Sequence, residues 1–168
     1  MNKWARTALI VGCVGGLATL LLLARRAQNV LERGLPPREL LPTQAAALTR
    51  AAVYSRDNCG MVYAVVGTGS MAPYLPAAPL GRDPKTTVVA YAVTRAGAKF
   101  DAIKPGSLVV YAAVWNPEMV VMHGAAQKDG LGWIMSGLHN ERSEADWRVT
   151  LANFRGIVAQ TMTWEPRL

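Results

Sequence analysis

From residue 59 onward the chain keeps returning to short runs of β-branched and apolar residues, most of them closed off by Gly, Pro or Asn. Met61–Val66, Thr86–Thr94 (TTVVAYAVT), Ser107–Val114 (SLVVYAAV), Met119–Met122, Trp133–Met135 and Ile157–Trp164 are such runs. Runs of this length with turn residues between them read as strands of an antiparallel sandwich or a barrel-like sheet. A parallel sheet needs helices alternating with the strands, and the sequence shows no such alternation. The region 59–168 is therefore expected to be one mainly β domain.

The N-terminus has a different character. Thr7 to Ala24 (TALIVGCVGGLATLLLLA) is 18 residues without a charge, preceded by Lys3 and Arg6 and followed by Arg25 and Arg26. That length is at the short end for a bilayer-spanning helix. Residues 1–26 are read as an uncleaved single-pass anchor. A cleaved secretory signal fits less well, because Arg25 and Arg26 stand where small residues would precede a cleavage site. A lipoprotein signal ending at Cys13 leaves too few apolar residues before that cysteine. Lys3, Arg6 and the amino terminus favour an inside N-terminus and so an extracytoplasmic domain, while Arg25, Arg26 and Arg33 pull the other way. Residues 27–58 are read as a linker broken by Gly34-Leu35-Pro36-Pro37, followed by a short helix from Thr43 to Tyr54 with Thr43 as its N-cap.

Eighteen Lys and Arg against eleven Asp and Glu leave a net charge of +7. The basic residues are scattered, with only Arg25 and Arg26 adjacent, which favours contact with membrane lipid over a nucleic-acid surface. Cys13 and Cys59 lie on either side of the anchor boundary and are not expected to pair. Neither the number nor the spacing of Cys and His suggests a metal site, and no cofactor is expected.

The stretch most suggestive of chemistry is Val66-Gly67-Thr68-Gly69-Ser70-Met71-Ala72-Pro73. Two glycines free the backbone before Ser70 and a proline fixes it after, so a strand can end in a turn that presents a hydroxyl. An ordinary Gly/Pro loop with an incidental serine shares these features. A serine needs a base, and the chain has two histidines, His123 after the Met119–Met122 run and His139 in a loop-like stretch. Lys104 and Lys128 are amine alternatives, but a lysine base must be buried to lose its proton.

Four stretches taken in order resemble type I signal peptidases. GTGSMAPYLP resembles the nucleophile box SGSMxPTL. Ile103–Tyr111 resembles the xGDIVVF box, and Val120–His123 resembles the box holding the base, which carries His in some members. Ser136–Ser143 and Asn153–Val158 resemble the GDN box and the closing strand. The resemblance covers roughly residues 60–160. It implies a signal peptidase-like β domain preceded by an N-terminal transmembrane helix, and a serine endopeptidase cleaving exported or membrane-tethered proteins. It further implies Ser70 as nucleophile, His123 as base and Thr68 as an oxyanion donor together with the Ser70 N–H. Met71 and Pro73 would shape the site, and Asp146 or Ser143 would orient the base. Leu138, Ser107 and Gly124 depart from the pattern, at the Asp of GDN, the Asp of the GD box and the Arg after the base. These departures keep open a catalytically inactive membrane or assembly protein on the same fold. A relative of the self-cleaving repressor peptidases would call for a DNA-binding domain, for which residues 25–58 are too short and proline-interrupted.

Overall fold

A computed structural model describes residues 31–82, 87–139 and 147–165. The segment read as an anchor lies outside these residues, as do Ser143 and Asp146. Among the described residues no helix is long and apolar enough to cross a membrane.

The domain is mainly β, as its runs of Val, Ile, Tyr and Thr dictate. Eight strands follow in chain order: β1 (Arg38–Leu41), β2 (Val62–Val66), β3 (Val88–Thr94), β4 (Leu108–Ala112), β5 (Val120–Asp129), β6 (Gly132–Ser136), β7 (Arg148–Val149) and β8 (Phe154–Trp164). The sheet runs β2-β3-β8-β4-β5-β6-β7, and β1 pairs with β8. Every pairing is antiparallel except β1–β8. The long β8 joins the two halves. Its start pairs with β4 through Phe154, Gly156 and Ile157, and its remainder pairs with β3 from Val158 to Thr163.

Both faces of the central strands are covered, so β3 and β4 read as continuous apolar runs with no polar alternation. Along β4, Leu108 and Val110 enter one core with Val65, Leu75 and Met122. Val109 and Tyr111 enter a second core with Trp133, Met135 and Ile157. A third cluster lies under the helix α1 (Gln44–Asp57), where Ala47 and Ala51 pack against Tyr91, Val93, Met162 and Trp164. Two alanines one turn apart let the helix approach the sheet closely. Thr43 caps α1, its hydroxyl accepting from Ala46 N at 3.1 Å.

The stretch 31–41, within the region read as a linker, lies against this domain. Leu31 is 3% exposed. The Pro37 carbonyl accepts from Thr161 N, and β1 runs beside the end of β8. The Arg38 guanidinium donates to the carbonyls of Pro73 and Tyr74 at 3.0 and 2.6 Å, tying this stretch to the loop after Ser70.

Candidate active site

β2 ends at Val66 and the chain turns through Gly67, Thr68 and Gly69 into Ser70. Gly67 has to be glycine, because a Cβ there would strike the carbonyl of Pro76, whose segment returns alongside to bond Ala78 N to Gly67 O at 2.7 Å. Gly69 sits at φ +89°, in the left-handed region that favours glycine. Beyond Ser70 the turn closes with Ala72 N donating to Gly69 O and Leu75 N to Met71 O. Met71 and Leu75 drop into the first core and fix the turn from below. Tyr74 anchors its far side, donating to the Pro36 carbonyl at 3.1 Å and lying 2.9 Å from Thr161 Oγ1. Burial pushes the Tyr74 phenol up to about 12, against the opposing effects of the Thr161 hydrogen bond and the Arg38 charge.

A second segment clasps Ser70 from the other side. His139 N donates to the Ser70 carbonyl at 2.9 Å. Gly137 lies so close that a Cβ on it would meet the Ser70 carbonyl and side chain. The serine is thus held between two loops, each admitted by a missing side chain.

His123 arrives from β5, where it pairs across from Val109 of β4. It is 7% exposed, a buried histidine within an apolar strand. Its Nε2 lies 2.8 Å from Ser70 Oγ, within the range of about 2.6–3.2 Å expected between a nucleophile and its base. Thr68 Oγ1 donates to the same Ser70 Oγ at 3.2 Å. The other imidazole nitrogen, Nδ1, lies 3.2 Å from the Tyr111 hydroxyl. Tyr111 is fully buried, and the two rings are 6.4 Å apart between centroids.

Ser70, His123 and Thr68 are therefore brought together. His139, the rival base, lines the same cleft, but the Ser70 hydroxyl meets His123. Lys104 is exposed in the turn before Ser107, and Lys128 lies over the Phe100 ring at 5.6 Å. Neither lines the cleft. Tyr111 is the contact the sequence did not signal. A tyrosine inside an apolar run reads as core, and only the register between β4 and β5 shows that its hydroxyl reaches the histidine.

The dyad opens into a cleft of about 520 Å³. One wall is the end of β2 with Val65 and Val66, and the other is Met119–Met122 at the start of β5, with Trp115 at the rim. Trp115 is half exposed and packs on Trp147 at 4.4 Å between ring centroids. A second cleft of about 550 Å³ lies beyond Trp147, with Val114, Leu131, Asn153 and Arg155 in its lining. At its edge Arg148 pairs with Asp129 at 2.7 Å. The Arg148 hydrogen bond, helped by backbone N–H groups of Leu131 and Gly132, holds the Asp129 carboxyl below its usual range. Among the described residues no three His, Cys, Asp or Glu side chains gather as metal ligands would.

The departures from the resembling pattern each have a local use. Ser107 Oγ accepts from Lys104 N at 3.0 Å, closing the turn before β4. Leu138 packs against the first core. Gly124, directly after His123, leaves the space that the Leu31 side chain fills. Compared with protein-family models, with curated proteins and with solved structures, the chain matches none.

Proposed function

We propose that this protein is a serine endopeptidase of the type I signal peptidase kind, anchored in a membrane through residues 1–26 and cutting exported or membrane-tethered proteins. The observation that carries the reading is the 2.8 Å contact between Ser70 Oγ and His123 Nε2 at the base of an open cleft. The departures at Leu138, Ser107 and Gly124 do not oppose it, since each is accommodated without disturbing that contact.

The cleft suits an extended peptide. Residues 120–124 of β5 pair with β4, while β6 joins β5 only from Gly124 onward. The first residues of β5 thus offer a backbone edge along the cleft, opposite the end of β2. A substrate strand laid there gains main-chain hydrogen bonds, and apolar side chains gain contact with Met119, Val120 and Val66.

In the first step His123 Nε2 takes the Ser70 proton as Oγ bonds to the scissile carbonyl carbon, and the carbonyl π electrons move onto its oxygen. The Thr68 hydroxyl and the Ser70 N–H are the donors for that oxyanion. Collapse of the adduct breaks the C–N bond, and the proton on Nε2 leaves with the amine. Water then repeats the sequence on the acyl-serine, returning Ser70 and releasing the acid.

Incubation of the full chain in detergent micelles with a library of extended peptides tests this, with products and acyl-protein read by mass spectrometry. Cleavage that disappears in both Ser70→Ala and His123→Gln supports the reading. Cleavage that survives in Ser70→Ala sinks it, and so does a complete lack of turnover by the folded wild-type chain.

A further inference from the structure

The chemistry requires His123 Nε2 to accept a proton, so in the working tautomer the ring proton must sit on Nδ1. In serine enzymes of this type a third group commonly holds that proton in place. Asp146 and Ser143, read from sequence for that role, lie outside the described residues. Within them, the phenol oxygen of Tyr111 lies 3.2 Å from Nδ1.

The sheet accounts for this contact. Tyr111 pairs across from Val121, and His123 pairs across from Val109. Val109 and Tyr111 are two apart on β4, and Val121 and His123 are two apart on β5. All four side chains therefore fall on one face, and Tyr111 meets His123 on the diagonal, within reach of long side chains. The phenol is locked as well as near, because its ring is fully buried among Val109, Trp133, Met135 and Ile157. A packed aromatic ring has little freedom, so its oxygen is presented at a fixed point.

We propose that Tyr111 is a positioning residue for His123, its phenol oxygen accepting the Nδ1 proton and so keeping Nε2 free to take the proton of Ser70. The kinetic part of this inference rests on the peptidase reading above. A phenol differs from a carboxylate in one consequential way, since its oxygen can both accept and donate. Were the Tyr111 hydroxyl to donate to Nδ1, the ring proton would move to Nε2 and face Ser70, and the dyad would be idle. The arrangement therefore has a productive and an unproductive hydrogen-bond direction, whereas an ionised carboxylate permits only the first.

Tyr111→Phe removes one oxygen and keeps the ring. Two readouts follow it on the full chain. The first is ¹⁵N NMR of the imidazole nitrogens, which reports the tautomer directly and needs no substrate; with only two histidines in the chain, the spectrum is simple. Wild-type His123 is expected as the Nδ1–H tautomer, and Tyr111→Phe as a mixture. The second is the acetylation of Ser70 by p-nitrophenyl acetate, followed as p-nitrophenolate release above a Ser70→Ala blank. Its rate constant is expected to fall about 10- to 100-fold, the range for a hydrogen bond to a group that becomes charged, with the half-saturating ester concentration unmoved. An Nε2–H tautomer in the wild type, or an identical tautomer population in Tyr111→Phe, overturns the inference. So does an unchanged acetylation rate. A tautomer that shifts in a protein that acetylates nowhere leaves the inference standing and removes the peptidase reading instead. The wild-type tautomer alone decides the matter should the variant fail to fold.

Discussion

Two clefts of nearly equal volume among the described residues, one lined by Trp115 and the other by Trp147, whose rings pack on each other at a tilt, are built on different terms. In the first, a serine on a glycine-framed turn meets a buried histidine, and packing fixes both partners. In the second, the polar groups are satisfied by one another, with Arg148 bonded to Asp129 and Arg155 donating to the carbonyls of Ala152 and Phe154. Size does not distinguish the two. What distinguishes them is that the first brings a hydroxyl and an imidazole nitrogen into contact from separate elements, and the second uses its charges to hold loops.

That contrast is sharpest at the dyad. Ser70→Ala and His123→Gln are each expected to lower Ser70-dependent ester turnover by at least about 10³-fold, with thermal unfolding close to that of the wild type. The next largest effect is expected at Gly137→Val. The added side chain collides with the backbone of Ser70, so turnover should fall by about 10²-fold or more and stability by about 2–3 kcal/mol, measured by ester kinetics and chemical denaturation. Thr68→Val keeps the shape and removes one donor. It should cost about 10- to 10³-fold in the chemical step and leave the half-saturating concentration unmoved. Turnover that survives Thr68→Val at the wild-type rate would remove this hydroxyl from the oxyanion site.

The smallest effect belongs to the second cleft and has a different pH signature. The Asp129 carboxyl is held below its usual range in the folded protein, so its contribution to stability is present above the unfolded carboxylate value of about 3.9. The contribution is lost as pH falls through the lower, folded value. Asp129→Asn should therefore flatten the acid side of the stability curve, followed by melting temperature against pH, while ester turnover stays at the wild-type level. Loss of turnover in Asp129→Asn would break the division between the clefts.

Much of this was legible beforehand because its causes are local. β-branched runs between breakers located β2, β3, β4, β6 and the body of β8, and Thr43 marked the start of α1. Ser70 stood out because two glycines and a proline around one serine are an unusual local expense in conformational freedom. β1 escaped notice because Arg-Glu-Leu-Leu has no strand alternation, and its pairing comes from β8, far away in the chain. β5 runs on to Asp129 through Gly124 and the polar Gln127-Lys128, where composition argues against a strand and the neighbouring β6 supplies the pairing. Tyr111 was hidden for the same reason. Its role lies in the register between two strands and in no property of its own run.

The glycines around the site have a genetic consequence. Gly67 and Gly137 carry no chemistry, yet every amino-acid replacement at either position adds at least a Cβ where a backbone carbonyl already stands. No missense change at these two codons is conservative. An unbiased collection of loss-of-function alleles should therefore be as rich in glycine codons as in those for the serine and the histidine. Those alleles would map the position of Ser70 without altering an atom of Ser70 or His123.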